Sequence, residues 1–420
     1  MTSKNPHEEA YVWIWLSGEV KPVIAGKLTA DGTKLFFNYG KSYIERMRDA
    51  SPAIPIYEPE LPLRTGVLPL LDGLNMPGCI RDGAPDAWGR RVITNKKLGV
   101  KGADTAVLDE LTYLLESGSD RIGTLDFQLS ATSYEPRSAK NASLEELIGS
   151  AARVEKGVPL TAELDAALYH GTAIGGARPK ALIEDGDKKY IAKFSSSTDV
   201  YNVVKAEFVA MKMAEVVGLD AAAVQLKIAA GKDVLLIERF DRTKTPHGWA
   251  RKSMVSALTL FALDDMMARY ASYEDLAEII RYRFSDPKNN LKELFSRLTY
   301  NVLCGNTDDH ARNHSAFWDG ETLSLTPAYD ICPQGRSGNE ASHAMLISGN
   351  NNLSQLKTCL AAAHSFLISK QDARAIFEHQ IELIELHWDS VCDEAQLSEI
   401  DRKLLFRRQF LNPYSVLINP

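Results

Sequence analysis

The pattern of apolar and polar positions divides the chain into a strand-rich first part and a helix-rich last part. Runs of β-branched and aromatic residues, separated by Gly and Asp turns, predict three short antiparallel strands. These runs are Tyr11–Leu16, Val23–Leu28 and Lys34–Tyr39. Prolines recur between Pro52 and Pro69 and disfavour regular helix there. We therefore expect a small antiparallel sheet near the start of the chain.

The middle of the chain reads as two hairpins around a helix, preceded by a polar stretch over residues 131–142. Ser143 and Glu146 have the spacing of a capping box, which predicts a helix over about residues 144–155. The expected hairpin strands are 181–184 with 189–194 and 224–229 with 234–240, and the expected helix between them is 203–217.

Apolar residues at helical spacing dominate the rest of the chain. The predicted helices, including two in the first part, are 86–98, 106–115, 257–263, 274–283, 291–305, 370–388 and 397–410. The elements do not alternate as βαβ units, and the chain lacks the Gly-rich signatures of dinucleotide-binding and P-loop folds. The order predicts an α+β protein with an N-terminal β-rich part at 1–140, a second part at 141–242 and an all-helical lobe at 243–420.

Composition narrows the class of protein without assigning a function. The 420 residues are 45% apolar and 25% charged, which excludes a wholly disordered chain. The formal net charge of −7 makes direct binding of nucleic acid a poor default, because phosphate contacts need clustered Lys and Arg. The five cysteines form no C-x-x-C pair, and no apolar run is long enough for a membrane span. We expect a cytoplasmic protein without membrane contact.

The densest polar cluster is the segment 305–314, which follows a predicted apolar helix. Asp308 and Asn313 have the spacing of the catalytic loop in protein kinases, where the Asp contacts the acceptor hydroxyl and the Asn holds a metal ion. Asp330 follows in an apolar context and supplies a second carboxylate of the kind that Mg²⁺ prefers. Taken alone, the Asp–Asn pair is better explained as a solvated helix end, because such spacings are common by chance.

Residues upstream add the other parts of a nucleotide site. Lys193 ends a predicted strand, where a lysine can neutralise phosphates, and Glu207 on the next helix is a possible partner for it. The backbone at Glu238 could bond an adenine edge, with Phe240 packed on the ring. Taken alone, Lys193 and Glu207 are more simply explained as surface residues, and Phe240 as a core residue next to an edge strand.

A Gly-bearing turn precedes the first strand of the first hairpin. Its small residues allow backbone N–H groups to approach a phosphate, and its basic residues add positive charge. The residues concerned are Gly175, Gly176, Ala177, Arg178 and Lys180. The order of glycine turn, strand lysine, helix glutamate, hairpin exit, Asp–Asn pair and second Asp is that of a two-lobed protein-kinase-like fold.

These motifs resemble those of the HipA family, the serine/threonine kinase toxins of bacterial toxin–antitoxin pairs. The segments that carry the resemblance are Asp82–Arg91, Asp120–Gly123, Gly175–Lys180, Glu238–Arg242, Asn306–Asn313 and Leu325–Ile331. Together they span most of the chain.

The resemblance implies a role for each matching residue. Asp308 would be the catalytic aspartate, and Asn313 and Asp330 would hold Mg²⁺. The residues that would contact ATP are Gly175, Gly176, Ala177, Arg178, Lys180, Lys193, Glu238, Phe240, His310 and Tyr329.

The resemblance also implies partners. Family members phosphorylate an aminoacyl-tRNA synthetase, are neutralised by a small DNA-binding antitoxin and repress their operon in complex with it. DNA contact would then lie mainly on the antitoxin, which fits the acidic charge of this chain. One position departs from the family: Ala173 stands where family members carry an autophosphorylated serine, and Thr172 is its only hydroxyl-bearing neighbour.

Three other functions remain open at this stage. A small-molecule phosphotransferase of the aminoglycoside or choline kinase type would use the same loop chemistry. A hydrolase could bind a transition metal through Asp308, Asp309, His310 and His314. A corepressor could bind ATP without turnover.

Overall fold

The structure is a computed structural model, and its contacts divide the chain into two units. It describes residues 7–46, 51–98, 108–137, 143–156, 171–196, 199–336 and 338–418. Unit 1 comprises Met1–Thr198, Lys227–Val255 and Trp318–Glu321, and unit 2 comprises Asp199–Leu226, Ser256–Phe317 and Thr322–Pro420. The expected three-part division at 140 and 242 stays a prediction.

Unit 1 contains the antiparallel sheet expected near the start of the chain. Its strands are β1 (Glu9–Ile14), β2 (Val23–Asp31), β3 (Lys34–Tyr39) and β4 (Leu125–Gln128), in the order β3-β2-β1-β4. The first three strands confirm the prediction. The sequence analysis missed β4 because all four of its residues are buried, Asp126 and Gln128 included, so the strand has no apolar–polar alternation.

The second sheet confirms both predicted hairpins. Its strands are β5 (Lys180–Asp185), β6 (Lys188–Phe194), β7 (Val224–Ala229) and β8 (Lys232–Glu238), in the order β5-β6-β8-β7. The apolar face of this sheet contributes Ala181, Tyr190, Ala192, Phe194, Val234 and Leu236 to a core that also contains Trp88, Val92, Leu147, Ile148 and Val154 from two helices.

The helices of unit 1 are short and carry local start signals. Those in the described residues are α1 (Lys41–Glu45), α2 (Gly78–Arg81), α3 (Ala87–Leu98), α4 (Glu110–Glu116) and α5 (Leu144–Glu155). Ser143 and Glu146 form the predicted capping box of α5, because each side chain bonds the backbone N–H of the other. The helix expected from residue 106 begins at Glu110 behind the cap Asp109, and residues 106–107 lie outside the described residues.

Unit 2 is mostly helical, as expected. Its helices are α6 (Val203–Val216), α7 (Ala257–Leu260), α8 (Tyr273–Arg283), α9 (Pro287–Cys304), α10 (Leu356–Ala362), α11 (Lys370–Glu394), α12 (Glu399–Leu405) and α13 (Pro413–Val416), with 3₁₀ turns at Ala268–Tyr270 and Ala363–Phe366. Phe295 of α9 contacts the rings of Phe366 and Phe377 in its core. The described helices include none that is long and apolar enough to cross a membrane.

Two predicted helices are shorter than expected. The helix expected over 257–263 ends at Leu260, and Ala262 has a left-handed φ of 55°. The helix expected over 397–410 ends at Leu405, and Arg407 has a φ of 62°. Left-handed residues end a right-handed helix, and neither position is a glycine that the sequence could have marked.

The C-terminal part is not all-helical, so that detail of the prediction is wrong, although the α+β class is confirmed. The missed strands are β9 (Arg242–Thr245), β10 (Gly248–Arg251), β11 (Met254–Ser256), β12 (Ser315–Trp318) and β13 (Leu323–Leu325). Strands β9 and β10 pair as a hairpin, and β12 pairs with β13. All five strands have three or four residues, which is too short for a period of two to stand out.

A buried network of charged residues ties the turn after α4 to the exit of β8 within unit 1. Arg239 lies 3.0 Å from Asp120 and 2.8 Å from Asp241. Arg242 lies 2.9 Å from Asp120 and 2.8 Å from Asp241. The backbone N–H of Gly123 donates a further bond to Asp241, at 2.9 Å. The described parts of the motifs 120–123 and 238–242 therefore form one cross-linked structure.

The two arginines of this network control the ionisation of Asp241. Burial alone would raise the pKa of Asp241, but the Arg239 and Arg242 guanidinium groups outweigh burial and lower it to about 2. The ionised carboxylate therefore stabilises the fold at neutral pH. That contribution is lost as the pH falls from about 4, the pKa of an unfolded Asp, towards 2.

We predict that Asp241→Asn lowers the free energy of unfolding by about 3 kcal/mol at pH 7, because two buried arginines lose a shared partner. We also expect the loss of stability between pH 4 and pH 2 to be shallower in this variant than in the wild type. Urea unfolding at a series of pH values measures both effects. The control is Asp72→Asn at an exposed position, and equal unfolding curves for the two variants would contradict the prediction.

Candidate functional site

The segment 305–314 of unit 2 begins at the C-terminal end of α9. Gly305 ends the helix with a left-handed φ of 75°, and a Cβ atom there would lie 2.8 Å from the carbonyl oxygen of Gln409. Only glycine fits both constraints. Asn306 then bonds back to Asn301 through its backbone N–H (2.9 Å) and its side chain (3.1 Å). The loop is thereby fixed at the point where it leaves the helix.

The carboxylate of Asp309 anchors the centre of the loop. It accepts hydrogen bonds from the Tyr273 hydroxyl and from Nδ2 of Asn301 (2.9 Å), and Nε2 of His314 lies 3.1 Å away. Asp309 is 2% exposed. A buried carboxylate that accepts several hydrogen bonds holds its donors in one geometry. Helix α8, helix α9 and the end of the loop therefore meet at this side chain.

The histidines near this anchor have some ring nitrogens that lack a hydrogen-bond partner among the described residues. Burial lowers the pKa of His343 to about 4, so its ring is neutral at pH 7. Neither ring nitrogen of His343, nor Nδ1 of His314 or His310, has a hydrogen-bond partner among the described residues. Because His343 is neutral, it supplies no positive charge to the Asp309 anchor, whose carboxylate is held by the hydrogen bonds described above.

Helix α7 supports the other side of the loop. The backbone N–H of Ala257 donates to the carbonyl of His314 (2.8 Å), and that of Leu258 donates to the carbonyl of Ala311 (3.3 Å). Together with the bonds of Asn306 to Asn301, these bonds fix the loop at both ends. Asp308 is thus presented from a segment that is hydrogen-bonded on either side.

The structure brings Asp308, His310 and Asp330 into one electrostatic neighbourhood. Burial raises the pKa of Asp308, His310 opposes the rise, and the Asp330 carboxylate adds to it. The side-chain amide of Asn313 donates to the carbonyl of Asp308 at 3.3 Å, which leaves the amide oxygen available to a metal ion. Asp308 and Asn313 therefore lie on one loop, and Asp330 lies on the segment that follows β13.

Tyr329 and Asp330 lie on the segment that follows β13. The Tyr329 hydroxyl donates to the carbonyl of Arg312 (2.7 Å) and is 2.6 Å from Oγ of Ser315. Asp330 has a left-handed φ of 61°, a conformation that costs a non-glycine residue free energy and is typical of functional sites. Tyr329 thus contributes by tying this segment to the 305–314 loop.

The hypothesis of a transition-metal site has no support in this geometry. Among the described residues, no three His, Cys, Asp or Glu side chains are grouped so that they could hold a metal ion. Asp309 and His314 bond each other in the anchor, and Asp308 lies beside Asp330.

In unit 1, the Gly-bearing turn is bonded to the start of α3. Oδ2 of Asp86 accepts the backbone N–H of Gly176 at 2.9 Å, and the N–H of Trp88 donates to the carbonyl of Gly176 at 3.2 Å. The Lys180 ammonium bonds the carbonyl of Gly175. Gly176 has a φ of 105°, which a residue with a side chain adopts only under strain. Ala177 and Arg178 lie on the same turn, exposed and half-buried respectively.

Lys180 and Lys193 are paired across β5 and β6 and are both buried. Residues directly opposite each other in antiparallel strands project to the same face of the sheet. Two ammonium groups on one face, next to the Gly-bearing turn, suit the oxygens of a phosphate chain.

The other predicted nucleotide residues have mixed surroundings. The Glu238 carboxylate lies 2.6 Å from the Lys188 ammonium, and Phe240 is half-buried. The N–H of Arg239 donates to the carbonyl of Lys189, so the backbone at the end of β8 is already partly paired. Glu207 lies on α6 in unit 2 and is 2% exposed, whereas Lys193 belongs to unit 1.

Thr172, the hydroxyl-bearing residue next to Ala173, is not exposed to solvent. Thr172 and Ala173 are both buried, and Oγ1 of Thr172 accepts the backbone N–H of Gly118 at 3.1 Å. This surrounding favours a structural role for Thr172.

The sequence analysis missed the roles of two carboxylates, Asp309 and Asp86, which hold the 305–314 loop and the Gly-bearing turn. Asp309 was assigned only to the discarded metal site, although its neighbour Asp308 marked the loop. Asp86 was noted within a motif without a role, and its contact with Gly176 joins residues 90 positions apart. The sequence holds no local signal for either contact, because each depends on which elements pack together.

Comparison with known proteins identifies a family match over more than half of the chain. The model of the HipA-like C-terminal domain family matches residues 172–388. The "Putative kinase Y4mE" of Sinorhizobium fredii is 26% identical over 270 residues, which cover 58% of this chain and 60% of that protein. The "Serine/threonine-protein kinase toxin HipA" of Shewanella oneidensis is 25% identical over 183 residues, which cover 38% of this chain and 42% of that protein. The matched segments thus span about half the length of these relatives.

A solved structure shows the same fold over nearly the whole chain. The Shewanella oneidensis MR-1 complex of HipA, HipB and operator DNA matches with a TM-score of 0.69 at 19% identity, covering 95% of this chain and 99% of the matched chain. The predicted α+β kinase-like fold is therefore confirmed.

The two adjacent aspartates of the loop should affect stability in opposite directions. We predict that Asp309→Asn lowers the free energy of unfolding by about 2 kcal/mol. The new asparagine has one acceptor oxygen where the carboxylate has two, and its NH₂ group would face hydrogen-bond donors. Asp308→Asn should leave stability unchanged or raise it at pH 7, because the fold disfavours the charged form of Asp308. Thermal unfolding without nucleotide measures both variants, and a larger loss for Asp308→Asn would contradict this account.

Proposed function

Because the chain belongs to the family of HipA-like C-terminal domains, we propose that it is an ATP- and Mg²⁺-dependent serine/threonine protein kinase that acts as the toxin of a bacterial toxin–antitoxin pair. The observation that carries this proposal is the hydrogen bond that joins Asn313 to Asp308 on the anchored loop, together with the electrostatic interaction between Asp308 and Asp330. This arrangement supplies one carboxylate for the acceptor hydroxyl and hard oxygen atoms for a metal ion.

Asp308 is proposed to orient the acceptor hydroxyl and accept its proton. Its raised pKa brings the carboxylate closer to the range in which a general base is effective. The anchored backbone around Asp308 fixes its position before the substrate arrives, which lowers the entropic cost of alignment.

Asn313 and Asp330 are proposed to hold Mg²⁺, and the residues present fit this ion. Their amide and carboxylate oxygens are hard donors, and two protein ligands suffice because Mg²⁺ keeps waters and phosphate oxygens for its other positions. Bound Mg²⁺ would neutralise the charge that develops on the phosphates. Its charge would also relieve the repulsion between the Asp308 and Asp330 carboxylates.

The residues of unit 1 are proposed to bind the nucleotide. Lys180 and Lys193 would contact phosphate oxygens from one sheet face, and backbone N–H groups of Gly175–Arg178 would add donors. Glu238 and Phe240 would take the adenine end, with the pairing of Arg239 to Lys189 fixing the backbone there. His310 is proposed to lie beside the phosphates, because it follows Asp308 by two residues on the same loop.

The proposed substrate is an aminoacyl-tRNA synthetase or another protein of translation, whose phosphorylation would arrest translation. The proposed location of this reaction is the cytoplasm. The proposed partner is a small DNA-binding antitoxin, through which the chain would contribute to operon repression. The matched HipA chain is in complex with HipB and operator DNA, which supports this part of the proposal. The net charge of −7 supports DNA contact through the partner.

We predict that Asp308→Asn lowers the rate of phosphoryl transfer at least about 10³-fold, because general-base positioning and electrostatic alignment are lost together. Asp330→Asn should have a similar effect, and added Mg²⁺ should restore part of it. The measurement is transfer of label from γ-labelled ATP to proteins of a host lysate, followed by mass spectrometry of the labelled band.

The control for these variants is Asp389→Asn, which lies on α11 with its side chain 89% exposed. It should transfer phosphate at the wild-type rate. Label on small molecules alone would favour the small-molecule phosphotransferase. Wild-type transfer by a folded Asp308→Asn protein would contradict the proposed catalytic residue.

A further inference from the structure

A pocket of about 390 Å³ lies in unit 2 beside the segment that follows Asp330. Its walls come from Gly335, Arg336, Gly338 and Asn339, from the residues just before α6, and from α12 and the turn after it. The residues used below are Asn202, Arg336, Asp401, Arg407, Arg408 and Gln409. This volume is in the range of small-ligand sites in proteins. We call it the arginine pocket.

The charge of the arginine pocket is positive in a chain that is acidic overall. Three arginines line it, against one carboxylate, that of Asp401. The Asp401 carboxylate already accepts a bond from the Ser398 hydroxyl at 2.8 Å. Because Arg407 pairs with Glu385, the positive charge that the pocket presents comes from Arg336 and Arg408, and it exceeds the negative charge of Asp401. This local excess of positive charge favours an anionic ligand.

Arg336 is the residue that an anion would satisfy. Its guanidinium is half-buried and donates to two neutral acceptors, the carbonyl of Asn339 (3.1 Å) and Oγ of Ser415 (2.9 Å). Nε is buried without a hydrogen-bond partner among the described residues, and no carboxylate there pairs with Arg336. Burial lowers the pKa of Arg336. A partly buried cation without a counter-ion is unfavourable, and an anion in the pocket would remove that cost.

The turn after α12 presents two further guanidinium groups. Arg407 has a left-handed φ of 62° and pairs with Glu385 at 2.7 Å. The Arg408 side chain is exposed and has no carboxylate partner among the described residues. Two arginines without acidic partners thus reach one pocket from separate segments of the chain.

We propose that the arginine pocket binds a phosphate monoester group, held by Arg336 and Arg408. Guanidinium groups present parallel N–H donors that match two oxygens of a phosphate, and the negative charge of the phosphate offsets the positive charges of Arg336 and Arg408. The polar side chains of Asn202 and Gln409 also line the pocket. The group could be the side chain of a phosphorylated serine in a protein or a free phosphate, and both share this chemistry.

The walls of this pocket are bonded to the start of the 305–314 loop. The backbone N–H of Gln334 donates to the carbonyl of Gly305 at 3.0 Å. Gly305 also packs so closely on the backbone of Gln409 that a Cβ atom would clash. A ligand that fixes Arg336 and the turn at Arg408 would therefore also restrict the loop that carries Asp308. The binding itself needs no phosphoryl transfer, so its failure and that of the proposed function are distinguishable.

The test is binding of inorganic phosphate to the full chain, measured by isothermal titration calorimetry and by the rise in Tm. We expect Arg408→Gln and Arg336→Gln each to weaken binding about tenfold, the loss of about one charge-assisted bond. Arg374→Gln, an exposed arginine of α11 outside the pocket, is the matched control and should bind as the wild type does. Arg408 is exposed, so its variant remains informative if Arg336→Gln is unstable.

A pair of otherwise identical peptides with serine or phosphoserine distinguishes the sources of the group. Tighter binding of the phosphopeptide than of inorganic phosphate would identify a protein side chain, and equal binding would identify free phosphate. Wild-type binding that equals that of Arg408→Gln, or no binding of either probe, would overturn the proposal.

Discussion

The geometry of the 305–314 loop depends on the buried carboxylate of Asp309. Its donors come from α8, α9 and the end of the loop itself, so one side chain fixes three segments. Because Asp309 takes the hydrogen bonds, its neighbour Asp308 is left at an exposed position, where desolvation and the Asp330 carboxylate raise its pKa. Adjacent residues of the same type thus have opposite roles, one structural and one chemical. The stable anchor holds the less favourable group in position.

The same principle governs unit 1, where the functional candidates lie on elements fixed by buried charges. Asp120 and Asp241 each bond Arg239 and Arg242, which secures the backbone directly after Glu238. Removing one member of such a network leaves an uncompensated buried charge, so the network specifies one arrangement of its segments. The turn at Gly176 is held by bonds to Asp86 and Trp88, which lie about 90 positions earlier in the chain.

The sequence predicted those elements whose signals are local. The capping box at Ser143 and both hairpins of the second sheet could be read from periodicity and turn residues. Strand β4 could not, because its charged residue Asp126 is buried in an ion pair. The end of α12 could not either, because the left-handed residue after it, Arg407, is not a glycine that would mark the turn. In the site, spacing identified Asp308 and Asn313, whereas the anchor at Asp309 depends on tertiary packing. The arginine pocket combines residues from distant segments and leaves no motif in the sequence.

The central claim is that Asp308, Asn313 and Asp330 form the catalytic centre of a protein kinase. A crystal structure of the full chain with a non-hydrolysable ATP analogue and Mg²⁺ tests it most directly. The account predicts a metal ion bound by the side-chain oxygens of Asn313 and Asp330, with the Asp308 carboxylate free of the metal and open to an acceptor hydroxyl. Nucleotide bound elsewhere, or metal bound without Asn313 and Asp330, would contradict it.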